Sequence, residues 1–408
     1  MWLLDKALRR LIKRGQLTII DHDGRAYSYG APEEGLNPVV ARFTDRRVAW
    51  QIASDPGLGA AEALMDGRMV LEQGDILDLV MVIRRSNRWE DRKGSDKFLK
   101  KGSRLKNAWH RINWQRRSKQ NVAHHYDIGN QLYELFLDSD WQYSCAYFTD
   151  PANTLEQAQL DKKAHIAAKL KLQPGQRVLD IGCGWGGMAL YLNRVAGVEV
   201  LGVTLSEEQI RIARERAEAA GVADKVKFEL IDYRDVQGSF DRIVSVGMFE
   251  HVGPPQFRTF FRKCRDLLAP DGVMLLHTIG RMGKPGTTDA FTQKYIFPGG
   301  YIPALSEIVG ASEQERLIMA DCETLRFHYY HTIRHWYDRV KANSEEVVRR
   351  YDERFLRLWL FYLAGAMTMF SESGMVNYQL QYTRRRDALP MTRDYLFEDE
   401  AKLRAIPG

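Results

Sequence analysis

The chain has 408 residues, of which 45% are hydrophobic and 27% are charged, a composition typical of a globular protein with two or three domains. The four cysteines, Cys145, Cys183, Cys264 and Cys322, are scattered and form no Cys-x-x-Cys pair. That spacing excludes a disulfide framework and a zinc site, and it indicates a reducing compartment. The longest uncharged apolar run, 358–370, has 13 residues and is too short to span a bilayer.

The first 83 residues predict a small α+β unit. Leucines recur at helical spacing between residues 3 and 12, and a strand-like LTIID segment and an Asp-Gly turn follow. The first apolar run already ends at Asp5, so the chain does not begin with a cleavable secretory pattern. Residues 76–83 predict an apolar helix that leads into a segment of very different composition.

That segment is strongly basic. Residues 84–119 hold 14 Lys or Arg and three acidic residues, a net charge of +11 in a chain whose total is +6. Such a block attracts polyanions, either nucleic acid or an anionic membrane surface, and a solvated linker face is the alternative. No nucleic-acid-binding motif accompanies the charge, so we expect no nucleic acid partner.

From residue 121 onward, apolar strands alternate with helical stretches, the pattern of a parallel α/β sheet. Residues 207–220 and 255–268 predict helices, and five segments predict strands: RVLDIG, VEVLGVTL, VKFELID, FDRIVSV and GVMLLHTI. We therefore predict an α/β, Rossmann-like fold for residues 121–408. The predicted domains are consecutive: an N-terminal unit at 1–83, a basic linker at 84–120 and a catalytic domain at 121–408.

The first of these strands ends at Asp180 and enters a turn that contains Gly182, Gly184 and Gly186. Glycines let the backbone turn tightly and let a ligand approach closely, although dinucleotide enzymes use a similar turn. A carboxylate here disfavours a pyrophosphate and suits a cofactor with a cationic amino group, such as S-adenosylmethionine; a structural Asp that caps the turn is the alternative. The next strand ends in Thr204, where such folds usually place an acidic residue for the ribose.

Five polar or reactive stretches fall at loops or strand ends, where the ligand sites of open α/β sheets gather. They are HYD at 125–127, YSC at 143–145, TLSEEQ at 204–209, GMFEH at 247–251 and HTIG at 277–280. With YSCAYF, VLDIGCGWGG, GVTLSEEQ, SVGMFEHVG and LLHTIG, the chain resembles the cyclopropane-fatty-acyl-phospholipid synthases and the related mycolic acid cyclopropane synthases over nearly its whole length. The GLGAAEALMDG stretch at 57–67 is similar to the small N-terminal domain of the phospholipid enzymes.

The resemblance implies a role for each candidate site residue. The residues that it implies for S-adenosylmethionine are Tyr143 and Ser144 at the methionine carboxylate, Gly182, Gly184 and Gly186 along its path, Thr204, Leu205 and Gln209 at the ribose, and Asp232 and Tyr233 at the adenine. It also implies a small anion site that holds bicarbonate, formed by Cys145, Glu250, His277, the backbone of Ile279 and Tyr329.

The resemblance further predicts the reaction: transfer of a methylene from S-adenosylmethionine across the cis double bond of an unsaturated phospholipid acyl chain. Methyl transfer leaves a carbocation that must lose a proton before the ring closes, and bicarbonate is the implied base. The alternatives are a methyltransferase that adds a methyl branch to a lipid or methylates a small amine, and a lipid-binding protein with a decayed methyltransferase fold.

The expected location of the protein in the cell follows from its expected substrate. A phospholipid lies in a bilayer, so we expect the protein in the cytoplasm, bound peripherally to the inner face of the cell membrane, with the 84–120 segment on anionic head groups. A homodimer is compatible with the sequence, which does not fix the oligomeric state.

Overall fold

The computed structural model describes residues 1–91 and 129–406. Most of the predicted basic linker and the HYD stretch at 125–127 lie outside the described residues. The described chain forms two compact units: the first comprises 1–91, 288–298 and 333–374, and the second comprises 129–287, 299–332 and 375–406. The units are therefore not consecutive segments, and residues 333–374, which the sequence analysis assigned to the catalytic domain, fold with the N-terminal residues.

The N-terminal part of the first unit has the α+β character that the sequence predicts. Its helices are α1 (Trp2–Leu11), α2 (Arg47–Ser54), α3 (Pro56–Met65) and α4 (Ile76–Arg85), and its strands are β1 (Leu17–Ile20), β2 (Ala26–Tyr29), β3 (Val39–Phe43) and β4 (Met69–Gln73). The strands form one sheet in the order β2-β1-β3-β4. Strands β1 and β2 are an antiparallel hairpin around the predicted Asp-Gly turn.

The other elements follow in chain order. The helices are α5 (Asn130–Tyr133), α6 (Leu155–Leu170), α7 (Gly187–Ala196), α8 (Glu207–Ala219), α9 (Phe257–Leu267), α10 (Leu305–Gln314), α11 (His328–Ala342), α12 (Ser344–Arg350), α13 (Glu353–Ser371) and α14 (Asp394–Arg404). The strands are β5 (Arg177–Ile181), β6 (Glu199–Thr204), β7 (Val226–Leu230), β8 (Phe240–Val246), β9 (Leu268–Arg281), β10 (Ile318–Leu325) and β11 (Met375–Thr383). Short helical turns occur at Phe249–His251, Pro254–Gln256 and Thr292–Ile296.

Seven strands of the second unit form one sheet in the order β10-β11-β9-β8-β5-β6-β7. Strands β5 to β9 are the five predicted strands, and they are mutually parallel, so the Rossmann-like prediction is confirmed. The sequence analysis missed β10 and β11; β11 pairs antiparallel with both of its neighbours. The chain moves from β5 outward through β6 and β7 and then returns to β8 on the other side, which creates a switch point between β5 and β8.

Helix α9 shows how local periodicity places a helix on this sheet. Its buried residues, Phe257, Phe260, Phe261, Cys264 and Leu267, recur at three- and four-residue spacing, so they form one apolar face. They pack into a core with the apolar side chains of β8, β9 and β11.

Helix α6 does not bury a single apolar face in this way, because its charged residues are buried as well. Lys162, Lys163 and Lys169 are exposed by 0%, 7% and 2%, respectively. Burying a charge costs free energy unless the group is hydrogen-bonded or paired, so each of these lysines requires partners.

In the first unit, α13 is the apolar segment that contains the 358–370 run. The Asp352 side chain caps it by accepting a hydrogen bond from the Phe355 backbone N–H at 2.6 Å. Arg357 donates to the Met65 carbonyl at 2.8 Å, and Arg354 pairs with Asp66 at 2.8 Å; both contacts attach α13 to the end of α3. Among the residues that the structure describes, no helix has both the length and the apolar character needed to cross a membrane.

Candidate active site

The main cavity of the second unit lies at the carboxyl ends of β5, β6, β7 and β8, at the switch point of the sheet. It encloses about 1210 Å³ of empty space, including the open solvent at its mouth. The cavity is lined by nearly all of the residues that the sequence analysis assigned to S-adenosylmethionine: Tyr143, Ser144, Asp180, Gly182, Gly184, Thr204, Leu205, Gln209, Asp232 and Tyr233. Gly186 is the one assigned residue outside this lining.

The glycine turn between β5 and α7 needs glycine for steric reasons at two positions. Gly182 has φ +83° and Gly186 has φ +84°, a region that side chains with a Cβ atom rarely adopt. A Cβ on Gly182 would lie 2.7 Å from the Met248 side chain, and one on Gly186 would lie 2.7 Å from the Phe228 ring. Gly186 therefore allows the turn to pack against Phe228, although it does not line the cavity.

Asp180 is 1% exposed, and its Oδ2 atom has no hydrogen-bond partner among the described residues. Burial raises the pKa of this carboxyl group to about 7, while the positive charge of Lys162 acts in the opposite direction. An unpartnered buried carboxylate is unfavourable, and a cationic group in the cavity would relieve that cost. Asp180 therefore fits the ammonium group of a ligand such as S-adenosylmethionine, as the sequence analysis expects.

The ends of β6 and β7 supply the hydrogen-bonding groups at another part of the cavity. The Thr204 hydroxyl donates to Gln209 Oε1 at 2.9 Å, and both side chains are buried. Arg234 forms two hydrogen bonds with the Asp232 carboxylate, at 2.8 and 2.6 Å. This pairing fixes the segment that the sequence analysis places beside the adenine.

The segment before α6 forms another wall of the cavity. Asp138 accepts hydrogen bonds from the backbone N–H groups of Asp140 and Gln142, at 3.1 and 2.8 Å. Asp140 is held in turn by Lys163 at 2.6 Å and by Arg216. These contacts fix the chain just before Tyr143 and Ser144, so the two side chains are presented to the cavity by a well-anchored segment.

Glu250 follows β8 in a short helical turn, and its side chain reaches the neighbouring strand. Its Oε1 atom accepts a hydrogen bond from the Ile279 backbone N–H at 2.6 Å, whereas Oε2 is buried without a partner among the described residues. Burial raises the pKa of this carboxyl group. The structure thus brings together two members of the predicted anion site, Glu250 and Ile279, and leaves one oxygen atom available to a bound group.

His277 lies within β9, because this strand continues to Arg281 along β11; the sequence analysis placed it nearer the strand end. Its ring is 1% exposed and lies between two amide side chains, Asn377 at 2.9 Å from Nε2 and Gln379 at 3.1 Å from Nδ1. Lys169 donates to Gln379 Oε1 at 2.8 Å, which turns the Gln379 amide nitrogen toward Nδ1, and the Asn377 amide nitrogen faces Nε2. Burial, and then the nearby lysine charges, lower the pKa of His277 well below its usual value.

Cys145 and Tyr329, the remaining predicted members of the anion site, are both buried. The Cys145 thiol donates to the Ala146 carbonyl at 3.4 Å, and burial raises its pKa far above the usual range. The Ala146 backbone N–H donates to the Thr332 hydroxyl at 3.0 Å, which connects the Cys145 segment with the first turn of α11, where Tyr329 lies. None of the predicted catalytic residues lines the main cavity described above.

The sequence analysis missed several polar residues that support the site. Lys162 is hydrogen-bonded to Gln142 and Ser144, and Asn377 and Gln379 hold His277 from β11. His251, which belongs to the predicted GMFEH stretch, also lines the cavity, and burial lowers its pKa to about 4, so its ring is neutral. Charged residues in a helix usually face solvent, and therefore no sequence signal distinguished Lys162.

The sheet order, the glycine turn and the switch-point cavity define the chain as an S-adenosylmethionine-dependent methyltransferase by fold. The cyclopropane synthase MmaA2 from Mycobacterium tuberculosis superposes with a TM-score of 0.62 at 31% identity, covering 65% of this chain and 97% of that one. The mycolic acid cyclopropane synthase CmaA1 complexed with SAH and CTAB gives the same TM-score, identity and coverage.

Sequence comparisons define the family within this class. The family model described as mycolic acid cyclopropane synthetase matches residues 113–380. The cyclopropane-fatty-acyl-phospholipid synthase of Escherichia coli (strain K12) is 38% identical over 355 residues, which cover 87% of this chain and 90% of that protein. A probable fatty acid methyltransferase of Pseudomonas putida is 39% identical over 295 residues, 69% of this chain and 75% of that protein. The chain belongs to the mycolic acid cyclopropane synthetase family.

Proposed function

We propose that this enzyme is a cyclopropane-fatty-acyl-phospholipid synthase that adds a methylene across the cis double bond of an unsaturated phospholipid acyl chain. The observation that carries the proposal is the buried carboxyl group of Glu250, whose Oε2 has no partner among the described residues, in a chain closely similar to a synthase of that name. Ring closure requires removal of a proton from the newly added carbon, whereas methylation of an amine does not.

The cavity residues would hold S-adenosylmethionine, which supplies an electrophilic methyl group. Asp180 would bind its ammonium group, Ser144 its carboxylate, and Thr204 and Gln209 its ribose region. This assignment rests on the unpartnered Asp180 oxygen in β5 and on the Thr204 hydroxyl and Gln209 amide, at the end of β6 and the start of α8. Gly182 and Gly184, which line the cavity without side chains, leave space for a ligand at the ends of these strands.

Glu250, His277 and their neighbours would hold bicarbonate as the base. The Ile279 N–H keeps the Glu250 carboxyl group in place. Burial raises the pKa of Glu250, so this group takes up a proton more readily than an exposed glutamate and, when protonated, can donate a hydrogen bond to an anion. His277 is neutral, because burial lowers its pKa well below the usual value, and the Gln379 amide nitrogen contacts its Nδ1 atom. The burial of both groups excludes water that would otherwise quench a carbocation on the acyl chain.

The direct test uses purified protein, S-adenosylmethionine and vesicles of an unsaturated phospholipid, with the fatty acids analysed by mass spectrometry. The expected product is heavier by one methylene and does not take up hydrogen on catalytic hydrogenation. Unchanged lipid would contradict the proposal. The control is the same incubation with saturated phospholipid, in which no product is expected because there is no alkene to attack.

A second candidate function is methyl branching of the acyl chain, which the similarity to a probable fatty acid methyltransferase favours. A methylene-branched product would have the same mass as the cyclopropane but would take up hydrogen. The hydrogenation step therefore separates the two reactions in one experiment.

We further propose that the enzyme works on the surface of an anionic membrane. Trp2 and Trp50, in α1 and α2, are exposed by 72% and 70%, and Lys6, Arg46 and Arg47 lie on the same two helices or beside them. Exposed tryptophan among basic residues suits an anionic interface, because the ring enters the head-group layer while the cations contact phosphate.

Co-sedimentation with vesicles tests this surface. Trp2→Ala/Trp50→Ala is expected to weaken binding to anionic vesicles severalfold, and Phe397→Ala is the matched control because Phe397 is an exposed aromatic residue of the second unit. High salt should weaken binding further by shortening the screening length to about 3 Å at 1 M. Equal binding to anionic and uncharged vesicles would contradict the proposal.

A further inference from the structure

Lys162 is a fully buried ammonium group at the back of the cavity wall. It is 0% exposed, and its Nζ atom donates to Gln142 Oε1 at 2.7 Å and to Ser144 Oγ at 2.8 Å. Within residues 1–91 and 129–406, no carboxylate lies close enough to Lys162 to form an ion pair; Asp138 and Asp140 act on it only at longer range. A buried charge without a direct counter-ion is costly, so its retention calls for a functional reason.

The hydrogen bond from Lys162 to Ser144 determines how the Lys162 charge acts on the cavity. Because the ammonium donates to Ser144 Oγ, the hydroxyl proton is free to point away from Lys162, and Ser144 lines the cavity. A hydroxyl group that accepts from a cation becomes a stronger donor. Ser144 therefore presents to the cavity a polarised donor with a positive charge directly behind it.

The orientation of this donor is fixed by the surrounding chain. Gln159, also on α6, donates to the backbone carbonyl groups of Gln142 and Ser144, at 3.1 and 3.0 Å. Asp180, with its unpartnered oxygen, lines the same cavity. The cavity thus has a cation-backed donor and a carboxylate, which are the two groups required to recognise the carboxylate and ammonium of an α-amino acid.

We propose that Lys162 is a positioning residue for the cofactor: its ammonium group, acting through the Ser144 hydroxyl, provides the positive counter-charge for the α-carboxylate of S-adenosylmethionine. This inference rests on the proposed function, because it requires that the cavity binds S-adenosylmethionine. Lys162 itself does not touch the ligand. Its contribution therefore depends on the carboxylate of the ligand and on the Ser144 hydroxyl.

The test compares two ligands by isothermal titration calorimetry. S-Adenosylhomocysteine carries the carboxylate, and S-adenosyl-3-thiopropylamine is the same molecule without it but with its amino group retained. We expect the wild type to prefer the first ligand by about tenfold or more, as is typical of a charge-assisted hydrogen bond. At about pH 6, below the pKa of about 7 to which burial lowers Lys162, Lys162→Met should reduce the preference to near unity. Loss of the Lys162 charge also raises the pKa of Asp180, which lowers the affinity for both ligands alike, so the ratio of the two affinities is the measured quantity.

Controls separate this role from a purely structural one. Lys169→Met removes another buried lysine of the same helix, one that is paired with Glu323, and it should leave the ligand preference unchanged. Ser144→Ala should lower the preference as much as Lys162→Met, and the double variant should lower it no further. A purely structural role of Lys162 would instead leave the wild-type ratio of the two affinities unchanged.

Each outcome has a definite meaning. A Lys162→Met protein that keeps the wild-type preference overturns the inference. If that variant does not fold, as judged by circular dichroism, Ser144→Ala decides: an unchanged preference in Ser144→Ala also overturns it. A wild-type protein that binds neither ligand would instead refute the proposed cofactor site.

Discussion

Replacement of Asp180 by Asn tests the ammonium end of the cavity. Asn has nearly the same shape as Asp, so the substitution removes the negative charge and keeps the packing at this 1% exposed position. In the free protein, the change removes a buried, unpartnered carboxylate oxygen and should not destabilise the fold. In the complex, it removes the acceptor that we assign to the ligand ammonium group.

The expected loss follows from the type of contact. A hydrogen bond between charged groups contributes about 1.5–3 kcal/mol, which corresponds to roughly a 10- to 150-fold weaker affinity for S-adenosylhomocysteine. The wild type should also show a pH dependence, because the pKa of free Asp180 is raised to about 7 and the bound form is ionised. Binding at lower pH must therefore release a proton, and the affinity should fall by up to about tenfold per pH unit below pH 7.

The assay is calorimetric titration of S-adenosylhomocysteine between about pH 5 and pH 6. The upper limit keeps Lys162 mostly protonated, because burial lowers its pKa to about 7. A deaminated analogue of the ligand serves as the control and should show neither the Asn effect nor the acid dependence. Wild-type affinity in Asp180→Asn, or a wild-type affinity that is constant over this range, would refute the reasoning.

Three further predictions concern the rest of the site. Glu250→Gln should lower turnover by about 10²- to 10⁴-fold while calorimetry shows an S-adenosylhomocysteine affinity within about twofold of the wild type; retained turnover would remove Glu250 from the mechanism. Gly186→Ala should lower the melting temperature through strain of about 1–3 kcal/mol, since a Cβ there meets the Phe228 ring, whereas Gly184→Ala, where no atom lies within 4 Å of the new Cβ, should cost less. Gln379→Leu removes the contact at His277 Nδ1 and should shift the pH profile of turnover with little change in cofactor affinity; an unshifted profile would show that this contact does not tune His277.

Much of the second unit could be predicted from local patterns. Strands β5, β6, β8 and β9 contain mostly apolar runs, which is how strands buried on both faces are encoded, whereas the edge strand β7 alternates buried and exposed residues. The glycine turn was recognisable because positive φ angles at Gly182 and Gly186 can be met only at low cost by glycine. Asp180 and the glycine turn were recognised from the residues themselves, whereas the roles of Thr204 and Asp232 came from the family resemblance. The three residues share a cavity because parallel strands bring their carboxyl ends to one edge.

The remaining features depend on contacts between distant segments. Strand β11 inserts between β9 and β10, and its polar residues are as buried as its apolar ones. Gln379, for example, is hydrogen-bonded to His277, 102 positions away in sequence. Residues 333–374 fold with the N-terminal residues, although nothing in their composition marks them as separate from the catalytic segment.

Lys162 illustrates the physical reason most clearly. In sequence it is one charge in a polar helix, and such residues are usually solvated. The tertiary structure buries it against Ser144 and Gln142, and only there does its charge act on the cavity. Local sequence thus determined the strands and the glycine turn, through backbone geometry and periodicity. The tertiary structure alone decided which charges are buried and which groups they polarise, because burial depends on partners that local patterns do not specify.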